Sequence, residues 1–402
     1  MKGKLFKRVM STALVSALFV GAMPMNSTAA DNDTMIVVSI GDSYSSGEGI
    51  PAFYGQDTAW EDKIYDEDWI AHRSTKSWPG MLEIPGVSGK LRDYNIKQNN
   101  SSKCKWYFGA ASGAETIHFK KENQRKDTYK RKSLFKTIKS TYYLPKQLDY
   151  VNKFKGDVDY VTMTLGGNDV KFEDIITTCA TGSTDLHFGS GKLKIEKLFD
   201  SIWEGFDATR ANIMEVYTDV QSAAGQQANI IVAGYPKLLD KTGKGVLISE
   251  KEATIVNQNV TKFNSRIQGI VNECKAQGMN IHFVDVEAEF DKDGGHQAYS
   301  DDAWINDIIL LKQDEDLDQS GFGSAYSVHP NEKGAEAYAR CVNAKIREIE
   351  NSKNRKAAVK SAAPVPETTT VENSIGDIEE STAAVEEINE EIGVVASVDS
   401  EK

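Results

Sequence analysis

The sequence predicts an α/β fold: a three-layer α/β/α sandwich built on a five-stranded parallel sheet. Two observations predict it. Five short, nearly continuous apolar runs are each stopped by Gly or Asp, and longer helix-like stretches separate most of them. Strands covered by helices on both faces read as unbroken apolar runs rather than alternating ones. Strand alternating with helix argues for a doubly wound domain of about 320 residues. In such sheets ligands and chemistry collect at the carboxyl ends of the strands.

The first strand is Met35–Ile40, stopped at Gly41, and the second is Lys105–Phe108, stopped at Gly109. Tyr160–Leu165 precedes Gly166, Asn229–Ala233 precedes Gly234, and Ile281–Val284 precedes Asp285. The helix-like stretches are Pro145–Phe154, Lys192–Ala223, Lys251–Ala276 and Asn331–Ile349. Two segments break the pattern. Ile50–Lys97 is rich in Trp, Tyr, Gly and Pro and reads as loops over the strand ends. Lys120–Lys139 carries nine Lys or Arg against two acids. It reads as a basic insertion, either a solvated amphipathic helix or a contact for an anionic surface.

Both ends of the chain stand outside this domain. Lys2, Lys4, Lys7 and Arg8 precede an apolar run from Val9 to Met25 and the small residues Ser27-Thr28-Ala29-Ala30. That order is a secretory signal peptide over residues 1–30, so export from the cell is expected. The apolar run is short for a membrane span of ~20 residues. At the other end, residues 361–402 hold eleven Asp or Glu and one Lys, with no Trp, Tyr, Phe or Cys. Such a composition cannot offset its ordering entropy, and a disordered acidic tail is expected over 351–402. The tail accounts for most of the net charge of −12. The balance left for the domain, 31–350, gives no sign of a nucleic-acid binder.

Four cysteines remain: Cys104, Cys179, Cys274 and Cys341. An even count in an exported chain favours two disulfides, and sequence alone allows three pairings. The layout favours Cys104–Cys179 and Cys274–Cys341, each closing a loop of roughly 70 residues and contributing about 4 kcal/mol in the chain-entropy model. No C-x-x-C spacing is present, which argues against zinc or a redox dithiol.

Three strand ends and one loop carry residues suited to chemistry. The first strand runs into Gly41-Asp42-Ser43-Tyr44-Ser45-Ser46-Gly47, a turn that can raise the Ser43 hydroxyl above the sheet. Gly109-Ala110-Ala111-Ser112-Gly113 has the small residues that let amides approach a ligand. Gly166-Gly167-Asn168-Asp169 offers a side-chain N–H at the same edge. Ser327-Val328-His329-Pro330-Asn331 brings a histidine to the loop before the last helix. His282 lies within a strand, and His118 and His187 lie in polar loops.

These four segments, in this order, resemble the blocks of the SGNH (GDSL-type) hydrolase superfamily, over roughly residues 35–345. His72-Arg73-Ser74, Ser77-Trp78-Pro79, Gly234-Tyr235-Pro236 and Gly295-His296 leading to Trp304 are similar to its secreted esterase and lipase branch. The resemblance implies a flavodoxin-like sheet, a serine nucleophile at Ser43 and a general base at His329. It implies an oxyanion hole from Ser43, Gly113 and Asn168, no cofactor or metal, and a small-molecule or lipid ester as substrate.

The match departs in two places. Many members carry Asp three residues before the histidine, where this chain has Tyr326. Members of this branch work as Ser–His dyads with a main-chain carbonyl in that place, so the resemblance implies that the Tyr326 carbonyl orients His329, with Asp301, Asp302 and Asp318 as the competing carboxylates. Residue 71 is Ala where relatives often have Cys. Asp314-x-Asp316-x-Asp318 has the look of a calcium loop, but Gln319 and Ala325 break that pattern. A carbohydrate O-acetylesterase and a non-catalytic surface interaction protein are the rival functions, and a monomer is the expected state.

Overall fold

The structure, a computed structural model, describes residues 34–56, 66–133, 136–172, 175–176, 178, 194–243, 248–318 and 323–361. The leader expected over 1–30, Cys179, His187 and the part of the expected tail beyond Ser361 lie outside the described residues.

Five parallel strands form the central sheet: β1 (Met35–Ser39), β2 (Cys104–Phe108), β5 (Tyr160–Met163), β6 (Asn229–Ala233) and β7 (Ile281–Val284), in the order β2-β1-β5-β6-β7. The central strands β5 and β6 are buried along their whole length, whereas edge strand β2 alternates buried and half-buried residues. That difference is what coverage on two faces against exposure at an edge produces. From β1 the chain passes to β2 on one side and returns to β5 on the other. The crevice of this sheet therefore opens at the carboxyl ends of β1 and its two neighbours.

Short helices α1 (Ser43–Ser46), α2 (Glu67–Ile70), α3 (Ile117–Lys120) and α4 (Gln147–Asn152) sit between the first strands. Longer helices α5 (Lys194–Glu204), α6 (Phe206–Ala224) and α7 (Glu250–Ala276) follow. The single stretch expected over Lys192–Ala223 is thus two helices, divided at Gly205. A capping box starts α7: the Ser249 hydroxyl accepts from the Glu252 N–H while the Glu252 carboxylate accepts from the Ser249 N–H. After α8 (Glu287–Phe290), helix α9 (Glu332–Ser361) closes the fold. It buries Ala335, Tyr338, Val342, Ile346 and Ile349, a stripe at helical spacing. The helix runs through Ser361, past the boundary expected at residue 350.

The basic insertion is an antiparallel hairpin, β3 (Gln124–Ser133) with β4 (Lys136–Leu144), rather than a helix. Its polar sequence lacks the period-two apolar alternation that announces a half-buried strand, because the pairing is made by main chain.

The disulfides expected from the layout are not formed. Cys104, Cys274 and Cys341 are free thiols. Each has its own surroundings: Cys104 opens β2, where burial pushes its thiol up to about 12. Cys274 is buried within the main core, with Glu273 and Arg210 nearby, and Cys341 lies beside Glu289 and Arg340, with burial raising its thiol to about 11. They pack as small apolar side chains.

Candidate active site

Ser43 is the first residue of α1, one turn beyond the end of β1. Asp42 caps that turn, its Oδ1 accepting the Tyr44 N–H at 3.0 Å. Gly41 has φ 123°, and a Cβ there would meet the Thr164 carbonyl oxygen at 2.5 Å. Only glycine lets the chain pass this close to the end of β5. Gln147 of α4 holds the same peptide: the Gly41 N–H donates to its Oε1 at 2.6 Å and its Nε2 donates to the Gly41 carbonyl at 2.8 Å. The Asp42 carboxylate also accepts from Thr164 Oγ1 at 2.6 Å and from the Tyr235 hydroxyl. Burial raises its pKa in spite of these three donors.

His329 Nε2 lies 2.7 Å from Ser43 Oγ, and its Nδ1 lies 3.0 Å from the Ser327 carbonyl oxygen. A carbonyl only accepts, so Nδ1 carries the hydrogen and Nε2 presents its lone pair to the Ser43 hydroxyl. The orienting carbonyl is therefore that of Ser327 and not that of Tyr326. The Tyr326 carbonyl accepts the main-chain N–H of His329 at 3.3 Å and Asn306 Nδ2 at 3.3 Å. The turn that produces this places Val328 at φ 53°, an unfavourable value for a β-branched residue. Tyr44 Oη donates to the Val328 carbonyl at 2.7 Å, and main-chain bonds with Asn306 hold both sides of the turn. Of the competing acids, Asp302 pairs with Lys333 at 2.5 Å and accepts from Trp304, Asp301 is exposed, and Asp318, whose main chain pairs with that of Tyr129, lines the cavity.

Gly113 and Asn168 line one cavity with Ser43 and His329. The main-chain N–H groups of Ser43 and Gly113 donate to no atom among the described residues, whereas Asn168 Nδ2 donates to the Ala114 carbonyl at 2.9 Å. The loop holding Gly113 is gripped from two sides. Arg73, 1% exposed, donates through Nε to the Ala110 carbonyl at 2.8 Å and through Nη2 to the Gly109 carbonyl at 3.2 Å. Its charge is met by Asp68 at 2.5 Å and Glu67 at 2.7 Å. From the hairpin, Gln124 Nε2 and Lys126 Nζ donate to the Ser112 carbonyl at 2.7 and 2.5 Å.

The cavity holds about 370 Å³. Beyond the Ser43–His329 pair it is walled by Phe172, Ile176, Leu238, Val260, Ile308 and Leu310, and Lys312 and Asp318 are at its polar side. An apolar recess beside a hydroxyl, an imidazole and two amides unpaired among the described residues can take an acyl chain with its carbonyl over Ser43.

The other sequence features find places around this centre. Tyr235 joins Asp42 to the Gly167 N–H, which donates to its hydroxyl at 3.2 Å. His296 stacks on Trp304 at 3.6 Å and bonds the Asp302 carbonyl. His282 is on β7, where burial first and then the charge of Lys275 lower its pKa to about 4. Asp316 closes its own loop, accepting the N–H groups of Gln313 and Ala325 at 2.7 and 2.9 Å. Gln147 and Glu48 escaped the sequence reading as individual residues; the Gly-Glu-Gly after the Ser43 turn was the available signal for Glu48.

Comparison with known proteins places the chain in a family. A sequence model described as GDSL-like Lipase/Acylhydrolase matches residues 37–342. A lipase of Streptomyces rimosus is 26% identical over 275 residues, 68% of this chain and 76% of that protein. Lipase 1 of Streptomyces coelicolor is 26% identical over 175 residues, 44% of this chain and 59% of that one. The crystal structure of the extracellular lipase from Streptomyces rimosus matches the fold with a TM-score of 0.51 at 23% identity, covering 77% of this chain and 99% of that chain.

Proposed function

The chain belongs to the GDSL-like lipase/acylhydrolase family and is a carboxylic-ester hydrolase, and we propose that Ser43 is its nucleophile and His329 its general base. The observation that carries this reading is the 2.7 Å contact between Ser43 Oγ and a His329 Nε2 whose lone pair faces it. As Oγ attacks the ester carbonyl carbon, Nε2 takes the hydroxyl proton. The developing oxyanion accepts from the amides of Ser43 and Gly113 and from the Asn168 side chain. The imidazolium then gives its proton to the departing alkoxide, leaving an acyl group on Ser43. Water, deprotonated by His329, releases the acid and restores the hydroxyl.

The apolar recess supports a lipid or acyl ester as substrate. The cationic strands β3 and β4 offer a contact for anionic surfaces that carry such esters. Secretion is supported by the charged, apolar and small-residue order of the first thirty residues and by the extracellular lipase among the similar proteins.

Hydrolysis of chromogenic esters from acetate to palmitate, by the protein and by its Ser43→Ala variant, tests the reading. Activity that disappears with the Ser43 hydroxyl is expected, with an optimum at acyl chains long enough to enter the recess. Activity unchanged in Ser43→Ala would overturn the assignment, and a sharp preference for acetate would favour polysaccharide acetyl groups.

A further inference from the structure

The imidazolium formed at His329 needs a counter-charge, yet its Nδ1 faces a neutral carbonyl. Two buried carboxyl groups, Asp42 and Glu48, feel the charge of His329. Asp42 already accepts from three donors: the Tyr44 N–H of the serine turn, the Thr164 hydroxyl after β5 and the Tyr235 hydroxyl after β6. Glu48 is 1% exposed, and its N–H donates to the Ser43 carbonyl at 3.1 Å, which places it at the end of the turn that begins with Ser43. Its neighbour Gly49 packs so tightly that a Cβ there would meet His329 Cβ at 3.3 Å and the Tyr326 carbonyl at 3.3 Å.

We propose that Glu48 is the carboxylate of this active site, acting through space on His329, and that His72 is the residue that positions it. The observation is one arrangement: His72 Nδ1 lies 2.9 and 2.8 Å from the two Glu48 oxygens. Phe53 stacks on the His72 ring at 4.3 Å. Among the described residues the His72 Nε2 is buried with no hydrogen-bond partner. A doubly protonated ring would leave a charged N–H unsatisfied there, so the tautomer with hydrogen on Nδ1 alone suits the site. The Glu48–His72 pair then keeps a net negative charge, which the forming imidazolium neutralises. Ser112 of the oxyanion loop also favours the charged form of Glu48, and Tyr326 is a further titratable group near it. Burial alone would raise the Glu48 carboxyl, but the hydrogen bond from His72 Nδ1 and the charge of His329 favour its ionised form.

This inference rests on His329 being the base, so its test reads His329 directly. The imidazole signals of His329 are titrated by NMR in the intact protein and in Glu48→Gln, and the pH profile of kcat/KM is recorded for both. Glu48→Gln keeps an acceptor for His72 Nδ1 and removes the charge. The expected result is a His329 titration and an acid limb that both move to lower pH, by about one pH unit, with kcat lowered at least tenfold and KM little changed. His72→Phe should shift both in the same direction by less. Identical His329 titration in protein and variant overturns the proposal even if the protein hydrolyses no ester. A shifted titration without ester hydrolysis upholds it and instead refutes the catalytic reading. If Glu48→Gln fails to fold, His72→Phe carries the same titration, and no shift there overturns the proposal.

Discussion

His329 Nδ1 donates to the main-chain carbonyl of Ser327, two residues before it, at 3.0 Å. The group that fixes the tautomer of the base is thus part of the same turn as the base, and no side chain is needed to supply it. Ser327→Ala keeps that carbonyl. It removes the Ser327 hydroxyl, which donates to the Ser324 carbonyl at 2.8 Å and accepts the Ile309 N–H at 3.0 Å. Measured kcat should stay within a few fold while stability falls by about 1 kcal/mol for each lost bond. A thousandfold loss of kcat in a folded variant would show that the side chain, not the carbonyl, orients His329.

Asn168→Ala removes one oxyanion donor. Loss of about 3–4 kcal/mol of transition-state stabilisation is expected, seen as a fall in kcat with KM little changed. Steady-state kinetics check it, and a rise in KM alone would mean that Asn168 binds the ground state.

Arg73→Lys tests the grip on the oxyanion loop. A lysine cannot reproduce five donors in a fixed fork, so Asp68, Tyr150 and the Gly109 and Ala110 carbonyls lose partners. Denaturant unfolding should show a destabilisation of about 3–5 kcal/mol. A change under 1 kcal/mol would place the loop's support elsewhere, in the Gln124 and Lys126 contacts.

Stability should fall on acidification in two stages. His282 has its pKa lowered from 6.5 to about 4 in the fold, by burial first and then by Lys275. Glu48 and Glu67 are held at about 2 against 4.5, where burial is outweighed by His72 for Glu48 and by Arg73 for Glu67. For all three the unfolded chain binds more protons, so each contribution is complete above the unfolded pKa and is lost as pH falls through the folded one. Tm should begin to drop below about pH 6.5 and drop faster below about pH 4.5. The raised acids Asp42, Asp159 and Asp169 work in the opposite direction and soften the second stage. Tm measured against pH checks this, and a Tm that is flat down to pH 4 would contradict it. His282→Gln should remove the first stage only.

Thiol titration in denaturant without reductant should count at least three free cysteines, Cys104, Cys274 and Cys341. Reductant should leave Tm unchanged. A Tm lowered by reductant would restore the disulfide reading.

The sheet was legible because buried parallel strands are written as apolar runs, and all five were found where Gly or Asp stops them. Ser43 and His329 were legible as residue types at strand and loop ends, and the structure brings them together across 286 positions of chain. The Ser327 carbonyl was not, since a main-chain group has no signature in the side-chain sequence. Tyr326 drew attention as the substituted position, and the local turn at Val328 decided against it. Arg73 was visible in its motif but its role was not, because the carbonyls it holds lie more than thirty positions away. The hairpin was hidden by its own polarity, and with it the support that Gln124 and Lys126 give to Ser112.

The central claim is that Ser43 attacks and His329 takes its proton. Mass spectrometry after treatment with an alkyl phosphonate ester, which traps the attacking atom as a stable adduct, tests it most directly. One adduct on Ser43 is expected, with its formation slowed at least a hundredfold in His329→Ala. An adduct on another side chain, or labelling of Ser43 at an unchanged rate in His329→Ala, would contradict the account.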